Sequence, residues 1–117
     1  MGFLTTHVLD TAQGVPAQGM AVSLYRRKGE QRELIVATHT NNDGRCDSPI
    51  LPKEVFLTGE YELEFAAGDY FRKAGISLPE PVFLDIVPIR FGIADATSHY
   101  HVPLLVSPYS FSTYRGS

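Results

Sequence analysis

The sequence predicts an all-β protein, an antiparallel β-sandwich that carries one short helix. Apolar and polar residues alternate with a period of two along most of the chain, which is typical of strands with two different faces. Seven or eight such segments recur at intervals of ~8–15 residues, and Gly, Pro, Asn and Asp separate them. The chain has 117 residues, so we expect a single domain over 1–117 with a core that needs no metal or disulfide.

The first half of the chain contains three predicted strands and one tight turn. Residues 3–9 are rich in Thr, Val and Leu, residues 21–26 alternate cleanly, and residues 34–39 form a β-branched run. The next residues, 41–45, read Asn-Asn-Asp-Gly-Arg, and Asn and Asp before Gly favour the positive φ of a tight turn. A turn is preferred to a calcium loop here, because Leu and Pro stand at 51–52, where an EF-hand needs Glu.

The second half contains the predicted helix and the remaining strands. Residues 68–75 have Asp69 near the start, basic residues near the end and a final Gly, which together predict a helix of about two turns. Four further segments have the alternating pattern of strands: 61–65, 83–91, 99–106 and 110–114. Pro88, within 83–91, indicates that this strand lies at a sheet edge or contains a bulge.

Composition excludes several classes of protein. The net charge of −3 provides no basic surface for nucleic acid and no polybasic membrane anchor. No apolar run approaches the ~20 residues of a membrane span, and no secretory signal is recognisable. The single cysteine, Cys46, can form no internal disulfide, and we expect it to pack structurally in a cytoplasmic protein.

Three of the four histidines lie on strand faces opposite the predicted core. His99 and His101 are two residues apart, so both side chains point to one face. The other face of this segment is uniformly apolar and is expected in the core: Tyr100, Val102, Leu104 and Val106. The histidine face is therefore either exposed or covered by something else, such as another subunit, and Pro103 and Leu105 continue it.

The first strand repeats this arrangement. Thr5, His7 and Leu9 share one face, and Leu4 and Val8 the other. The fourth histidine, His39, lies in a predicted strand without other polar residues that could form a site, and we expect it to be structural. Four histidines without carboxylates at ligand spacing make a poor metal site, so we expect no metal and no cofactor.

Four short motifs of the sequence are distinctive. They are Leu-Thr-Thr-His-Val-Leu-Asp at 4–10, Asn-Asp-Gly-Arg at 42–45, His-Tyr-His-Val-Pro-Leu-Leu at 99–105 and Tyr-Arg-Gly-Ser at 114–117. Together they resemble the motifs of the 5-hydroxyisourate hydrolases, the transthyretin-related enzymes of urate breakdown. The resemblance implies a transthyretin-like sandwich of two sheets. It also implies a homotetramer, a dimer of dimers, with active sites where the dimers meet.

The resemblance further implies hydrolysis of 5-hydroxyisourate to 2-oxo-4-hydroxy-4-carboxy-5-ureidoimidazoline in purine degradation. It assigns His7, Arg45 and His101 to catalysis, and Tyr114 and Ser117 to substrate binding, with His99 in a supporting role. A neutral histidine can take a proton from water, and the planar guanidinium suits carbonyl oxygens and ring nitrogens. Which of the two catalytic histidines acts as the base stays open.

Two other functions remain as alternatives. The first is a non-catalytic carrier of small aromatic ligands in the channel between dimers, for which small or apolar channel residues would be expected instead of histidines. The second is an adhesion or structural module, which would show no turnover and would tolerate a C-terminal extension.

Overall fold

The structure is a computed structural model that describes residues 2–116, and strands dominate it. Its strands are β1 (Phe3–Thr5), β2 (Val8–Asp10), β3 (Val15–Pro16), β4 (Ala21–Lys28), β5 (Gln31–His39), β6 (Gly59–Ala66), β7 (Ile86–Ile93), β8 (His99–His101), β9 (Leu104–Val106) and β10 (Phe111–Thr113). The helix α1 (Ala67–Lys73) follows β6, and a 3-10 turn spans Lys53–Val55. No helix within residues 2–116 is long and apolar enough to span a membrane.

Two four-stranded sheets and one strand pair make up the sandwich. The first sheet has the order β5-β4-β6-β7 and is antiparallel throughout. The second has the order β10-β9-β2-β3, and β1 pairs with β8 beside it. The predicted β-sandwich with one short helix is therefore confirmed. Pro88 lies in β7, which is an edge strand of the first sheet, as predicted.

The first and last segments of the chain pair in parallel, within a sandwich whose other strand pairs are antiparallel as expected. β1 runs parallel to β8, with Thr5 opposite His101, and β2 runs parallel to β9. Parallel neighbours need a long crossover connection, and here nearly the whole chain lies between the partners. This pairing brings the two histidine-bearing segments side by side.

Both of these segments were predicted as continuous strands, and both are interrupted. The first breaks at residues 6–7 and the last at residues 102–103. Pro103 has no N–H group to donate to the ladder, so regular pairing cannot continue through it. Side chains bridge the gap: the Thr6 hydroxyl donates to the Val102 carbonyl oxygen at 2.6 Å, and the Thr113 hydroxyl donates to the Pro103 carbonyl oxygen at 2.7 Å.

The core lies where period two predicted it. Tyr100, Val102, Leu104 and Val106 are all buried, as are Leu4 and Val8. The histidine face is only partly buried at positions 99, 101 and 105, but Pro103 is buried. The alternation continues on both sides of Pro103, which lies in the break between β8 and β9 and is buried in addition to positions 100, 102, 104 and 106.

The helix begins one residue earlier than predicted and ends sooner. Asp69 was expected near the N-cap, but the N-cap residue is Ala66, which makes no side-chain capping bond. Asp69 lies in the first turn and accepts a hydrogen bond from Arg72 at 2.7 Å. Gly75, just beyond the helix, has a φ of +83°, which explains why a glycine follows the helix.

A buried glutamate joins three arginines in the first sheet. The Glu62 carboxylate accepts hydrogen bonds from Arg27 at 2.9 Å, Arg32 at 2.9 Å and Arg90 at 3.1 Å, and its side chain is only 4% exposed. Burial by itself would raise the pKa of the Glu62 carboxyl. Glu64 and the three guanidinium groups together hold that pKa below its ordinary value of 4.5.

Replacing Glu62 with Gln should lower the free energy of unfolding by about 3 kcal/mol at pH 7, because three arginines lose their charged acceptor. A lowered carboxyl pKa stabilises the fold above the unfolded value, and that stability disappears as the pH falls through the folded value. The difference between wild type and E62Q should therefore shrink below about pH 4.5. Urea unfolding at several pH values measures this.

The matched control is Glu60→Gln. Glu60 lies two residues earlier on the same strand and is exposed. Its substitution should change stability by less than about 0.5 kcal/mol. An E62Q protein as stable as E60Q would show that the network contributes nothing to the fold.

Candidate active site

The histidine face opens into a cavity of about 460 Å³. This volume is suited to a small molecule. Its lining consists mostly of polar and charged residues from three separate parts of the chain: Thr5, Thr6, Arg45, Cys46, Asp47, Ser48, Pro49, His99 and His101. Segments from the start, the middle and the end of the chain thus meet around one space.

Arg45 is presented by the predicted tight turn. The Asn41 side-chain oxygen accepts hydrogen bonds from the backbone N–H groups of Asp43 at 2.9 Å and Arg45 at 3.1 Å. Gly44 has a φ of +76°, and a Cβ atom there would collide with the Val8 carbonyl oxygen. Glycine adopts a positive φ readily and has no Cβ atom, so it meets both requirements. The turn therefore packs directly on β2 and exposes the guanidinium of Arg45.

His7 lies in the interruption between β1 and β2 and pairs with the Arg45 turn. A β-bridge joins His7 to Arg45, and the Val8 N–H donates to the Gly44 carbonyl oxygen at 2.8 Å. Burial and the charge of Arg45 lower the pKa of His7, although Asp43 opposes them. His7 is therefore expected to be neutral at pH 7.

His101 is held between Thr5 and the C-terminal tail. Its Nδ1 lies 2.8 Å from the Thr5 hydroxyl, and its backbone forms a bridge with Gly116. A Cβ atom on Gly116 would lie 3.1–3.2 Å from the His101 side chain, so the tail packs closely on this ring. Burial lowers the pKa of His101, and the neighbouring Arg45, His99 and His7 lower it further.

His99 is fixed from two sides. Its ring stacks on Phe3, with 4.1 Å between the ring centroids, and its Nε2 lies 2.7 Å from the Thr5 hydroxyl. Thr5 therefore touches both histidines of β8. Sequence reasoning placed Thr5 on the His7 face but gave it no role, since the parallel register that sets it opposite His101 was not predicted.

The tail residues are less simply placed. Tyr114 is 60% exposed and borders a second cavity, of about 240 Å³, which it shares with Tyr100 and Arg115 among other residues. Arg115 lies over the Tyr100 ring at 4.1 Å. Tyr114 is not among the described residues that line the 460 Å³ cavity in a single chain. Ser117, the other predicted substrate-binding residue, lies outside the described residues.

Neither Cys46 nor His39 adds a catalytic group to the cavity. Cys46 is partly buried against the core, and burial raises the pKa of its thiol, which makes it a poor nucleophile at neutral pH. His39 is exposed on β5, in the other sheet. Across residues 2–116, no group of three or more His, Cys, Asp or Glu side chains is arranged to hold a metal ion.

His7 is not among the residues that line the 460 Å³ cavity, although it is bridged to Arg45, which does line it. A β-sandwich that sets the His101 imidazole and the Arg45 guanidinium on one cavity, with a second imidazole beside the arginine, defines a protein built to act on a small polar molecule. The chain belongs to the HIUase/Transthyretin family, whose sequence profile matches residues 4–116. Among its relatives is "5-hydroxyisourate hydrolase 2" of Rhizobium meliloti (strain 1021). That protein is 65% identical over 116 residues, which cover 99% of this chain and 97% of the relative.

Solved structures have the same fold. The 5-hydroxyisourate hydrolase of Klebsiella pneumoniae matches with a TM-score of 0.80 and 36% identity over 98% of this chain and 99% of its own. Sea bream transthyretin in complex with thyroxine matches with a TM-score of 0.85 and 25% identity over 97% and 93%. An (S)-allantoin synthase matches with a TM-score of 0.92 and 49% identity; the match covers 99% of this chain but 44% of that one. The transthyretin-like fold is thereby confirmed.

Proposed function

We propose that this chain hydrolyses 5-hydroxyisourate to 2-oxo-4-hydroxy-4-carboxy-5-ureidoimidazoline in urate degradation. The observation that carries the proposal is that Arg45 lines one cavity with His101 and shares a β-bridge with His7, while the pKa values of both histidines are lowered from their ordinary value. The Rhizobium meliloti and Pseudomonas aeruginosa relatives, 65% and 63% identical to this chain, are named for this reaction. The reaction adds water across an amide-type C–N bond and opens the six-membered ring.

Each residue has a role that its surroundings support. Hydrolysis requires a base for the water, a stabiliser for the developing oxyanion and an acid for the leaving nitrogen. One of the two neutral histidines takes a proton from water and returns it to the leaving nitrogen. Arg45, exposed at the turn, binds the substrate carbonyl and stabilises the negative charge that develops on its oxygen. Tyr114 and Ser117 bind the substrate.

The proposed working unit is a homotetramer, a dimer of dimers, in which each 1–117 chain is one domain. Aromatic side chains are exposed along the C-terminal edge of the second sheet: Tyr109 is 59% exposed, Phe111 42% and Tyr114 60%. Association of chains would cover such an edge. It would also allow a partner to supply Tyr114 to the cavity. Light scattering should give a molar mass near four times 12.9 kDa, and a monomer mass would contradict this assembly.

We also place the protein in the cytoplasm. Cys46 is the one cysteine of the sequence, and a reducing compartment keeps such a thiol free. Cell fractionation with an antibody against the protein tests this location.

The experiment that tests the function follows freshly generated 5-hydroxyisourate by its ultraviolet absorbance. The protein should accelerate the loss of the substrate above its spontaneous decay and give a single enantiomer of the product, detected by circular dichroism. Saturable binding of the substrate without acceleration would contradict the enzyme and favour a transthyretin-like carrier instead.

A further inference from the structure

We propose that Thr5 is a positioning residue that fixes which ring nitrogen of His101 carries a hydrogen, through a hydrogen-bonded chain from His99 through Thr5 to His101. The inference rests on the proposed function, and it makes Nε2 of His101 the atom that takes the proton from water. Thr5 itself exchanges no proton with the substrate.

The geometry restricts where the hydrogens can be. The Thr5 hydroxyl oxygen lies 2.7 Å from His99 Nε2 and 2.8 Å from His101 Nδ1, both within hydrogen-bond distance. A hydroxyl has a single hydrogen, so it can donate to only one of these nitrogens. For both contacts to be hydrogen bonds, at least one ring must present an N–H group to Thr5. The tautomers of the two histidines are therefore linked.

Two ordered arrangements make full use of the single hydroxyl hydrogen. In the first, His101 donates from Nδ1 to Thr5, and Thr5 donates to His99 Nε2. The other nitrogen of His101, Nε2, then keeps its lone pair and can accept a proton. In the second, His99 donates to Thr5 and Thr5 donates to His101 Nδ1. The neutral ring of His101 then carries its hydrogen on Nε2 and cannot act there as a base.

The first arrangement is the one that suits catalysis. When Nε2 of His101 takes a proton from water, the ring becomes an imidazolium, and both hydrogen bonds of the chain persist without rearrangement. The same proton then leaves Nε2 for the departing nitrogen, which restores the neutral ring. In the second arrangement, a proton could enter only at Nδ1, and the bond from Thr5 would have to break. A site that needs no reorganisation during the reaction is the more effective one.

The backbone holds Thr5 rigidly for this role. Thr5 is opposite His101 in the parallel register, and its carbonyl oxygen accepts the Val102 N–H at 3.0 Å. Threonine is β-branched, so its χ1 angle is restricted and its hydroxyl is directed at the two rings. Phe3 stacks on His99 and fixes the plane of that ring as well. The middle of the hydrogen-bonded chain and its His99 end are thus both fixed.

The charged and titratable groups around His101 come from several elements. Arg45 belongs to the turn, His7 to the break before β2, and His99 to the same strand as His101, and all three disfavour its protonation. Asp47 borders the same cavity. The Thr5 oxygen works in the opposite direction, because an N–H group donates more strongly from an imidazolium than from a neutral ring.

The experiment compares Thr5→Val and Thr5→Ser with wild type. Valine keeps the shape of threonine without the hydroxyl, whereas serine keeps the hydroxyl. We expect T5V to lower kcat by about 10–100-fold with KM little changed, and T5S to retain most of the activity. In T5V, the acid limb of the kcat/KM profile should move to lower pH, since the protonated ring loses its acceptor. Thr38→Val, on β5, is the matched control and should behave as wild type.

A second measurement does not depend on the variants. Nitrogen-15 spectra of the wild-type protein at pH 7 distinguish the two neutral tautomers of histidine, and we expect His101 with its hydrogen on Nδ1. A hydrogen on Nε2 would overturn the inference, as would a T5V enzyme with wild-type kcat and pH profile. Either result would leave the proposed function standing, because that function fails only if the wild-type protein does not accelerate the hydrolysis.

Discussion

Replacing His101 with alanine should lower kcat by about 100–10,000-fold, the usual contribution of a general base. The ring lines the 460 Å³ cavity, and its lowered pKa keeps it neutral at pH 7 and able to accept a proton. The loss should appear in kcat more than in KM, since the proton transfer occurs in the transition state. Steady-state rates of substrate loss, corrected for spontaneous decay, give both constants.

The matched control for this variant is His39→Ala. His39 is exposed on β5, in the sheet that does not carry the cavity, so its removal should leave kcat unchanged. Circular dichroism and molar mass establish that H101A still folds and assembles, which matters because Gly116 packs on this ring. A folded H101A protein with wild-type kcat would remove His101 from the mechanism.

Replacing Arg45 with alanine should cost about 100–1,000-fold in kcat, the range for the loss of one donor to a developing oxyanion. Arg45 is carried by a turn whose backbone is fixed by Asn41 and Gly44, so the point from which its side chain extends is set before the substrate arrives. Arg45→Lys should recover only part of the loss, because an ammonium group cannot present the planar fork of donors. The same assay measures both variants.

Arg72→Ala is the control for removing an arginine. Arg72 bonds to Asp69 and Glu80 at the surface of α1, and such exposed ion pairs contribute at most about 1 kcal/mol to stability. The R72A protein should have the same kcat as wild type. If R45A and R72A were equally active, Arg45 could not be the group that stabilises the oxyanion.

Much of the fold followed from local pattern. Period two identified the core face of the last long segment, and the Asn-Asp-Gly run identified the turn that presents Arg45. The breaks at 6–7 and 102–103 were not predicted, although Pro103 gave a signal for one of them, since it lacks the N–H group that a continuous ladder needs. The parallel pairing had no local signal, because it joins residues nearly a whole chain apart.

The candidate site was predicted less completely than the fold. Alternation showed that His7, His99 and His101 avoid the core. A strand pattern predicts which face of the sheet a side chain is on, but it does not predict which residue lies opposite on the neighbouring strand. Only the resemblance to a family grouped His7 with Arg45 and His101. Thr5 was overlooked because its significance depends on register. The binding roles of Tyr114 and Ser117 stay predictions, the first because Tyr114 borders another cavity in a single chain and the second because Ser117 lies outside the described residues.

The parallel pairing of the first strands with the last has a consequence for the timing of folding. Thr5 and His101 are 96 residues apart, so the site cannot assemble on a growing chain until β8 has left the ribosome. Closing so long a loop is slow, and folds dominated by such distant pairings form in milliseconds to seconds rather than microseconds. During synthesis β1 must therefore wait for β8 and β2 for β9, and activity should appear only after translation has passed the final histidine motif.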